Sequence, residues 1–173
     1  MPNETEGLPL EIERKFLIEM PDRELLASQP GCRVKLITQT YLTKENDFRA
    51  RVRKTVCGNR TVFTHTAKKS ISKMSRIELE REIGEEEYDA LLLQRDPKRH
   101  PIEKTRYAFP FGSHTVEIDI YPFWTEQAIL EIELGSEDEE APLPPFVRLL
   151  CEVTEDPAFT NAALSADPSL FRP

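Results

Sequence analysis

In Leu10-Glu11-Ile12-Glu13-Arg14-Lys15-Phe16-Leu17-Ile18-Glu19, the apolar Ile12, Phe16 and Ile18 alternate with Glu11, Glu13, Lys15 and Glu19. A period of two marks a β-strand with one apolar and one charged face. Similar segments follow at Arg33–Leu42, Phe48–Thr55, Asn59–Lys68, Arg76–Ile83, Ile102–Phe109, His114–Tyr121 and Ala128–Gly135, giving eight predicted strands. Cys57-Gly58-Asn59 and Phe111-Gly112-Ser113 read as hairpin turns, so neighbouring strands are expected to run antiparallel. Helices are predicted between them. One runs from Pro21 to Gln29, with Asp22 as N-cap. Glu85–Arg95 has an acidic first turn and an apolar face of Tyr88, Leu91 and Leu92. A third spans Pro144–Glu152, with Phe146, Leu149 and Leu150 at helical spacing, and a short last one spans Pro157–Ala166. Ser136–Pro145, acidic and then Pro-rich, reads as a loop.

The expected fold is mainly β, within the α+β class: a closed eight-stranded antiparallel barrel with flanking helices and a C-terminal helix. With 173 residues and no internal repeat, a single domain over 1–173 is expected, its core at about 10–164. Period alone does not say which strand face points inward. Either the apolar side fills the barrel and the charges meet water, or the charges line a tunnel and helices cover the apolar side.

The charged fraction is 31% and the net charge −8, so the long-range field opposes nucleic acid and anionic membranes, and neither is an expected partner. The three cysteines, Cys32, Cys57 and Cys151, lack metal or disulfide spacing. Met1-Pro2-Asn3-Glu4 has neither the basic start nor the apolar stretch of a secretory leader, and a cytoplasmic location is expected. Outer strand faces left uncovered by helices would be natural homodimer surfaces.

The charges are sorted by strand. Glu11, Glu13 and Lys15 share one face, as do Arg49, Arg51 and Arg53. Arg76, Glu78, Glu80 and Glu82 form a third row; Lys104 with Arg106, Glu117 with Asp119, and Glu131 with Glu133 continue the series. Aligned arginines repel one another unless an anion or carboxylates sit among them, and paired carboxylates repel unless a cation joins them. Such rows fit carboxylates holding a hard divalent cation while Arg and Lys grip phosphate oxygens.

Glu11-Ile12-Glu13-Arg14-Lys15 matches an ExExK signature. It is followed in order by Gln39-Thr40-Tyr41-Leu42, Arg51-Val52-Arg53, Ser75-Arg76-Ile77-Glu78-Leu79-Glu80, Glu103-Lys104-Thr105-Arg106-Tyr107, Glu131-Ile132-Glu133-Leu134 and Glu152-Val153-Thr154. As a set, this resembles the CYTH superfamily, the triphosphate tunnel metalloenzymes, in the compact bacterial branch that includes inorganic tripolyphosphatases. The resemblance runs from about Leu10 to Leu164 and implies a closed tunnel with inward charges. It implies magnesium or manganese on Glu11, Glu13, Asp119, Glu131 and Glu133. Lys15, Arg51, Arg53, Lys68, Arg76, Lys104 and Arg106 would contact a triphosphate. Lys68, Glu78 and Glu80 would stand at the reacting phosphate, with a second metal, Glu78 or Glu80 activating water. The implied activity is hydrolysis of inorganic tripolyphosphate or a nucleoside triphosphate. Class IV adenylyl cyclase, thiamine triphosphatase and a non-catalytic polyphosphate-binding module are the alternatives. Some relatives carry a basic residue on the C-terminal helix; Pro157–Ala166 has none.

Overall fold

In the computed structural model, which describes residues 10–43, 48–72 and 74–172, the eight expected strands are present and close into a barrel. They are β1 (Leu10–Glu19), β2 (Arg33–Tyr41), β3 (Arg49–Cys57), β4 (Arg60–Ser70), β5 (Ser75–Ile83), β6 (Ile102–Phe111), β7 (His114–Ile120) and β8 (Gln127–Glu133). The order around the wall is β1-β5-β4-β3-β2-β6-β7-β8, and every neighbouring pair is antiparallel. Gly58 and Gly112 turn their hairpins at φ of 60°, a region that L side chains reach only with strain. Residues 1–9, read above for a leader, lie outside the described residues. Among the described residues no helix is long and apolar enough to cross a membrane.

The sidedness left open by periodicity is settled by what covers each face. Phe16, Ile18, Phe109, Ile118, Leu130 and Ile132 pack on the outside of β1, β6, β7 and β8. They lie under Leu26 of α1 (Arg23–Ala27) and under Leu143, Phe146 and Val147. Asp22 caps α1 by accepting from the Leu25 N–H. Across the barrel, α2 (Glu85–Leu92) lays Tyr88, Leu91 and Leu92 over Val52, Phe63 and Ile83. The apolar rows thus face outward under helices, and the charged rows face inward.

The inward rows become apolar at one end. Leu17, Ile129, Tyr121 and Ile102 continue the rows of Lys15, Glu131, Asp119 and Lys104, and they pack with Val153 and Leu164. Phe123 and Trp124 close over this group as packing residues. The C-terminal helix expected over Pro157–Ala166 is a 3₁₀ turn at Pro157–Phe159 followed by the five-residue α3 (Asn161–Ser165), which lies across this end.

One element differs in kind. Where a helix is predicted over Pro144–Glu152, the chain makes a turn and then a ninth strand, β9 (Leu149–Glu152). The cause is the free edge of β1. β5 pairs with that edge only from Leu10 to Ile12, and β9 takes Phe16–Ile18. Arg14 locks the pairing with two hydrogen bonds to the Glu152 carboxylate, at 2.8 and 2.7 Å. Edge hydrogen bonding wins over a short helical pattern that begins with two prolines.

Candidate active site

The barrel encloses a cavity of about 870 Å³, lined among the described residues by ten lysines and arginines against six glutamates. In a chain of net charge −8 this is a local basic surplus, placed where water is restricted. Eleven of the expected site residues border it: Glu11, Glu13, Lys15, Arg51, Arg53, Lys68, Arg76, Glu78, Glu80, Arg106 and Glu131. Three expected residues do not. Glu133 is exposed at the tunnel end, while Lys104 and Asp119 lie buried within the wall. Lys69, of opposite parity to Lys68, also borders the cavity and sits over the Phe48 ring.

The register explains the convergence. Arg53 faces Gln39 and Thr64 across its two neighbouring strands, and Arg51 faces Tyr41 and Thr66. Both guanidinium groups are therefore held among neutral polar partners. Gln39, fully buried, accepts from Arg53 Nη2 at 2.9 Å and donates to the Tyr41 hydroxyl at 3.2 Å. Arg51 is nearest to Glu78, at 3.8 Å. The Nε atoms of Arg51 and Arg53 are buried without a hydrogen-bond partner among the described residues. Two orphaned cationic donors in one cavity need an explanation, and a bound anion supplies it. Burial, with Arg51 and Arg106 alongside, pulls the Arg53 guanidinium down to about 10.

Asp119, expected as a metal ligand, lies between two cations. Its Oδ1 accepts from Arg106 Nε at 2.6 Å; its Oδ2 accepts from Lys104 Nζ at 2.7 Å and Arg106 Nη2 at 2.8 Å. Despite burial, the two cations hold its pKa far below the carboxylate range. With both oxygens committed, Asp119 is a counter-ion that fixes Arg106 against the cavity. Arg106 also pairs with Glu117, and with Glu131 at 3.7 Å.

The other carboxylates form a crowded group. Glu11 and Glu13 share the β1 face; Glu133 stands opposite Glu13, and Glu131 opposite Lys15. Burial, then Glu131 and Glu11, push the Glu13 carboxyl up to about 7, against the pull of Arg76 (3.2 Å) and Lys15. Burial and a hydrogen bond with Glu78 raise Glu11 as well, although Lys68 lies 3.1 Å away. Glu131 goes the other way, to about 2; Lys15 and Arg106 overcome its burial. Among the described residues, no three acidic, imidazole or thiol groups stand close enough together to form a ready metal cage. The donors are nevertheless all carboxylate oxygens, and the excess of negative charge at Glu13 and Glu11 is what a hard divalent cation would relieve.

The metal-free protein should lose stability as pH rises toward neutrality. Glu13 binds its proton more tightly folded (about 7) than unfolded (4.5), so the folded state holds the extra proton between these values. Stability is therefore highest below pH 4.5 as far as this group is concerned, and falls as pH rises to 7. The loss is on the order of 3 kcal/mol. Urea titrations across this range should show the fall in wild type and a flatter profile in Glu13→Gln.

Gln39, Tyr41, Glu117 and Arg99 join the site with no role assigned to them in the sequence, although the first three stand in its motifs and charged rows. The first two share the cavity parity of β2 opposite Arg53 and Arg51, a signal the register makes readable. Arg99 sits in an irregular connection and has no such signal.

A closed antiparallel barrel with inward charges, a basic surplus and orphaned arginine donors defines a tunnel protein for a phosphate-rich anion. No family model matches the chain. The chain is 31% identical over 159 residues to the inorganic triphosphatase of Acetivibrio thermocellus, covering 91% of this chain and 94% of that one. The crystal structure of the inorganic triphosphatase NE1496 matches with 28% identity and a TM-score of 0.56, covering 91% and 95%. The PH1819 protein of Pyrococcus horikoshii shares the fold, at 22% identity and a TM-score of 0.56, over 74% of this chain and 80% of that one. The chain belongs to the CYTH superfamily of triphosphate tunnel metalloenzymes, in the branch of the inorganic triphosphatases.

Proposed function

We propose that this protein is a divalent-metal-dependent hydrolase that cleaves inorganic tripolyphosphate to pyrophosphate and phosphate inside the barrel. The observation that carries this reading is the pair of buried, orphaned Nε donors of Arg51 and Arg53 in a basic cavity. The relationship to inorganic triphosphatases agrees with it. Among the described residues Tyr41 is the one aromatic side chain lining the cavity, and a single ring gives a purine or a thiazolium no pair of faces to stack between. This favours an inorganic chain over a nucleotide or thiamine ester.

In this reading Lys15, Arg51, Arg53 and Arg106 bind the non-bridging oxygens, and Lys68 and Arg76 bind the reacting end. Phosphoryl transfer needs chiefly positioning and charge stabilisation, and a preorganised cationic wall provides both. Glu78 is occupied with Lys68 (3.3 Å) and Arg51, so it holds those cations in place. We assign the attacking water to Glu80, whose Oε2 accepts from the Thr66 hydroxyl at 3.0 Å. Water attacks the terminal phosphorus, the bond from that phosphorus to the bridging oxygen breaks, and Glu80 takes the water's proton. Glu11, Glu13 and Glu133, with Glu131, are assigned to hold magnesium or manganese, which when bound neutralises phosphate charge as a Lewis acid. Asp119 is assigned to scaffolding.

Purified protein incubated with tripolyphosphate, ATP or thiamine triphosphate, with magnesium or manganese, should release phosphate fastest from tripolyphosphate. A chelator or Glu13→Gln should abolish that release. Cyclic AMP and pyrophosphate from ATP would move the protein to the cyclase reading. Tight binding without turnover would leave only a binding module.

A further inference from the structure

The closed end of the tunnel carries a cation from outside the barrel wall. The connection between α2 and β6 brings Arg99 to the cavity, beside Tyr41. Its Nη1 donates to the Ala162 carbonyl and lies 3.3 Å from the Ser165 hydroxyl, both in α3. Its Nε lies 3.3 Å from Asp96, and its guanidinium carbon sits 5.7 Å from the Tyr41 ring centroid. The guanidinium is thus fixed on three sides at the cavity border. The part of the C-terminal segment that lines the cavity (Pro157, Thr160, Asn161, Ala162, Ala163, Ala166) contributes no charge. The inward strand rows at this end are apolar.

A linear phosphate chain is most heavily charged at its ends, because a terminal phosphate has one more ionisable oxygen than an internal one. A chain seated against Arg51 and Arg53 with one end toward α3 meets Arg99 there, together with Lys15, whose Nζ lies 3.5 Å from the Phe159 carbonyl. With Nη1 and Nε engaged, Nη2 is the arm of the Arg99 guanidinium that can donate a charge-assisted bond to a terminal phosphate. We propose that Arg99 caps the inner terminal phosphate of the bound chain and, with α3 as the wall behind it, sets the number of phosphate units the tunnel accepts. This rests on the tripolyphosphate reading above.

The test is a chain-length series of pyrophosphate, tripolyphosphate and tetrapolyphosphate, with steady-state kinetics and calorimetric binding. It would be run on wild type, Arg99→Ala, Arg99→Lys and Ser165→Ala. Arg99→Ala should raise KM and Kd for tripolyphosphate by roughly tenfold or more, the size of one lost charge-assisted contact, and should flatten the preference for three units. Arg99→Lys should recover part of both. Ser165→Ala loosens the α3 contact without removing the charge, so it should lower the thermal midpoint and keep the length preference. If Arg99→Ala binds and discriminates like wild type, or if Arg99→Ala and Ser165→Ala change KM and length preference alike, Arg99 merely latches α3 and the proposal falls. Tripolyphosphate that fails to bind even the wild-type protein would overturn this proposal together with the reading it rests on.

Discussion

Replacing Arg53 by methionine should lower kcat/KM for tripolyphosphate by roughly 10²–10³, the usual effect of removing one preorganised donor from a site that stabilises developing charge. Methionine fills similar space, so the loss reflects charge and hydrogen bonding, not a cavity. Arg53 lies close to Arg51 and Arg106, which with burial draw its pKa down to about 10; it is therefore held ready for an anion at some expense to the empty protein. Its removal relieves that repulsion while depriving the buried Gln39 Oε1 of its donor. These effects oppose each other, and the ligand-free thermal midpoint should move little. The midpoint rise that tripolyphosphate gives wild type should disappear. Phosphate-release kinetics and melting curves with and without tripolyphosphate check both parts. Near-wild-type kcat/KM in the variant would remove Arg53 from the site.

Asp119→Asn should act on the scaffold. Asp119 takes up the charge of Lys104 and Arg106 inside the wall, and the amide leaves Lys104 without its ion-pair partner and Arg106 with Glu117 and Glu131 alone. Breaking one side of such a group costs about 3–5 kcal/mol at neutral pH. The sign with pH is specific. The folded pKa of Asp119 is depressed, so its contribution is fully present above its unfolded value of 3.8 and fades as pH falls further. The gap between wild type and Asp119→Asn in urea denaturation should be widest near neutrality and shrink in acid. A variant as stable as wild type at pH 7 would mean that Glu117 and Glu131 alone suffice to hold Arg106.

Much of this architecture is readable in the sequence because period-two alternation and charge sorting report the same geometry. Three arginines at alternate positions of β3 cannot all face bulk protein, and the carboxylates of β1 and β8 fall into register once the strands are paired. Direction was harder to read, since an alternating strand looks the same whether its charges face in or out. It is fixed only by where α1, α2 and the 141–147 segment lie. Leu149–Glu152, expected as the end of a helix, is a strand for another reason: four residues carry too little period to outweigh an unpaired strand edge far away in sequence. The role of Asp119 was hidden because a carboxylate's use depends on which cations reach it first. Arg99 was hidden because its position depends on a loop and on contacts with α3, neither of which leaves a repeating mark.

The divided edge of β1 bears on how the chain becomes a barrel. β1 is the first described strand, yet its nearest partner pairs Ile12 with Ser75, and its other partners are β8 and β9. A ribosome thus releases β1 long before anything can hydrogen-bond to it. Loop closure across most of the chain must be completed before those bonds form, which places this topology among slow folders of high contact order. Until β8 and β9 arrive, β1 has one edge open throughout and the other covered at most from Leu10 to Ile12, the kind of segment prone to aggregation. The glutamates and lysine that later line the tunnel also space out its apolar residues, so the same side chains serve as gatekeepers during synthesis.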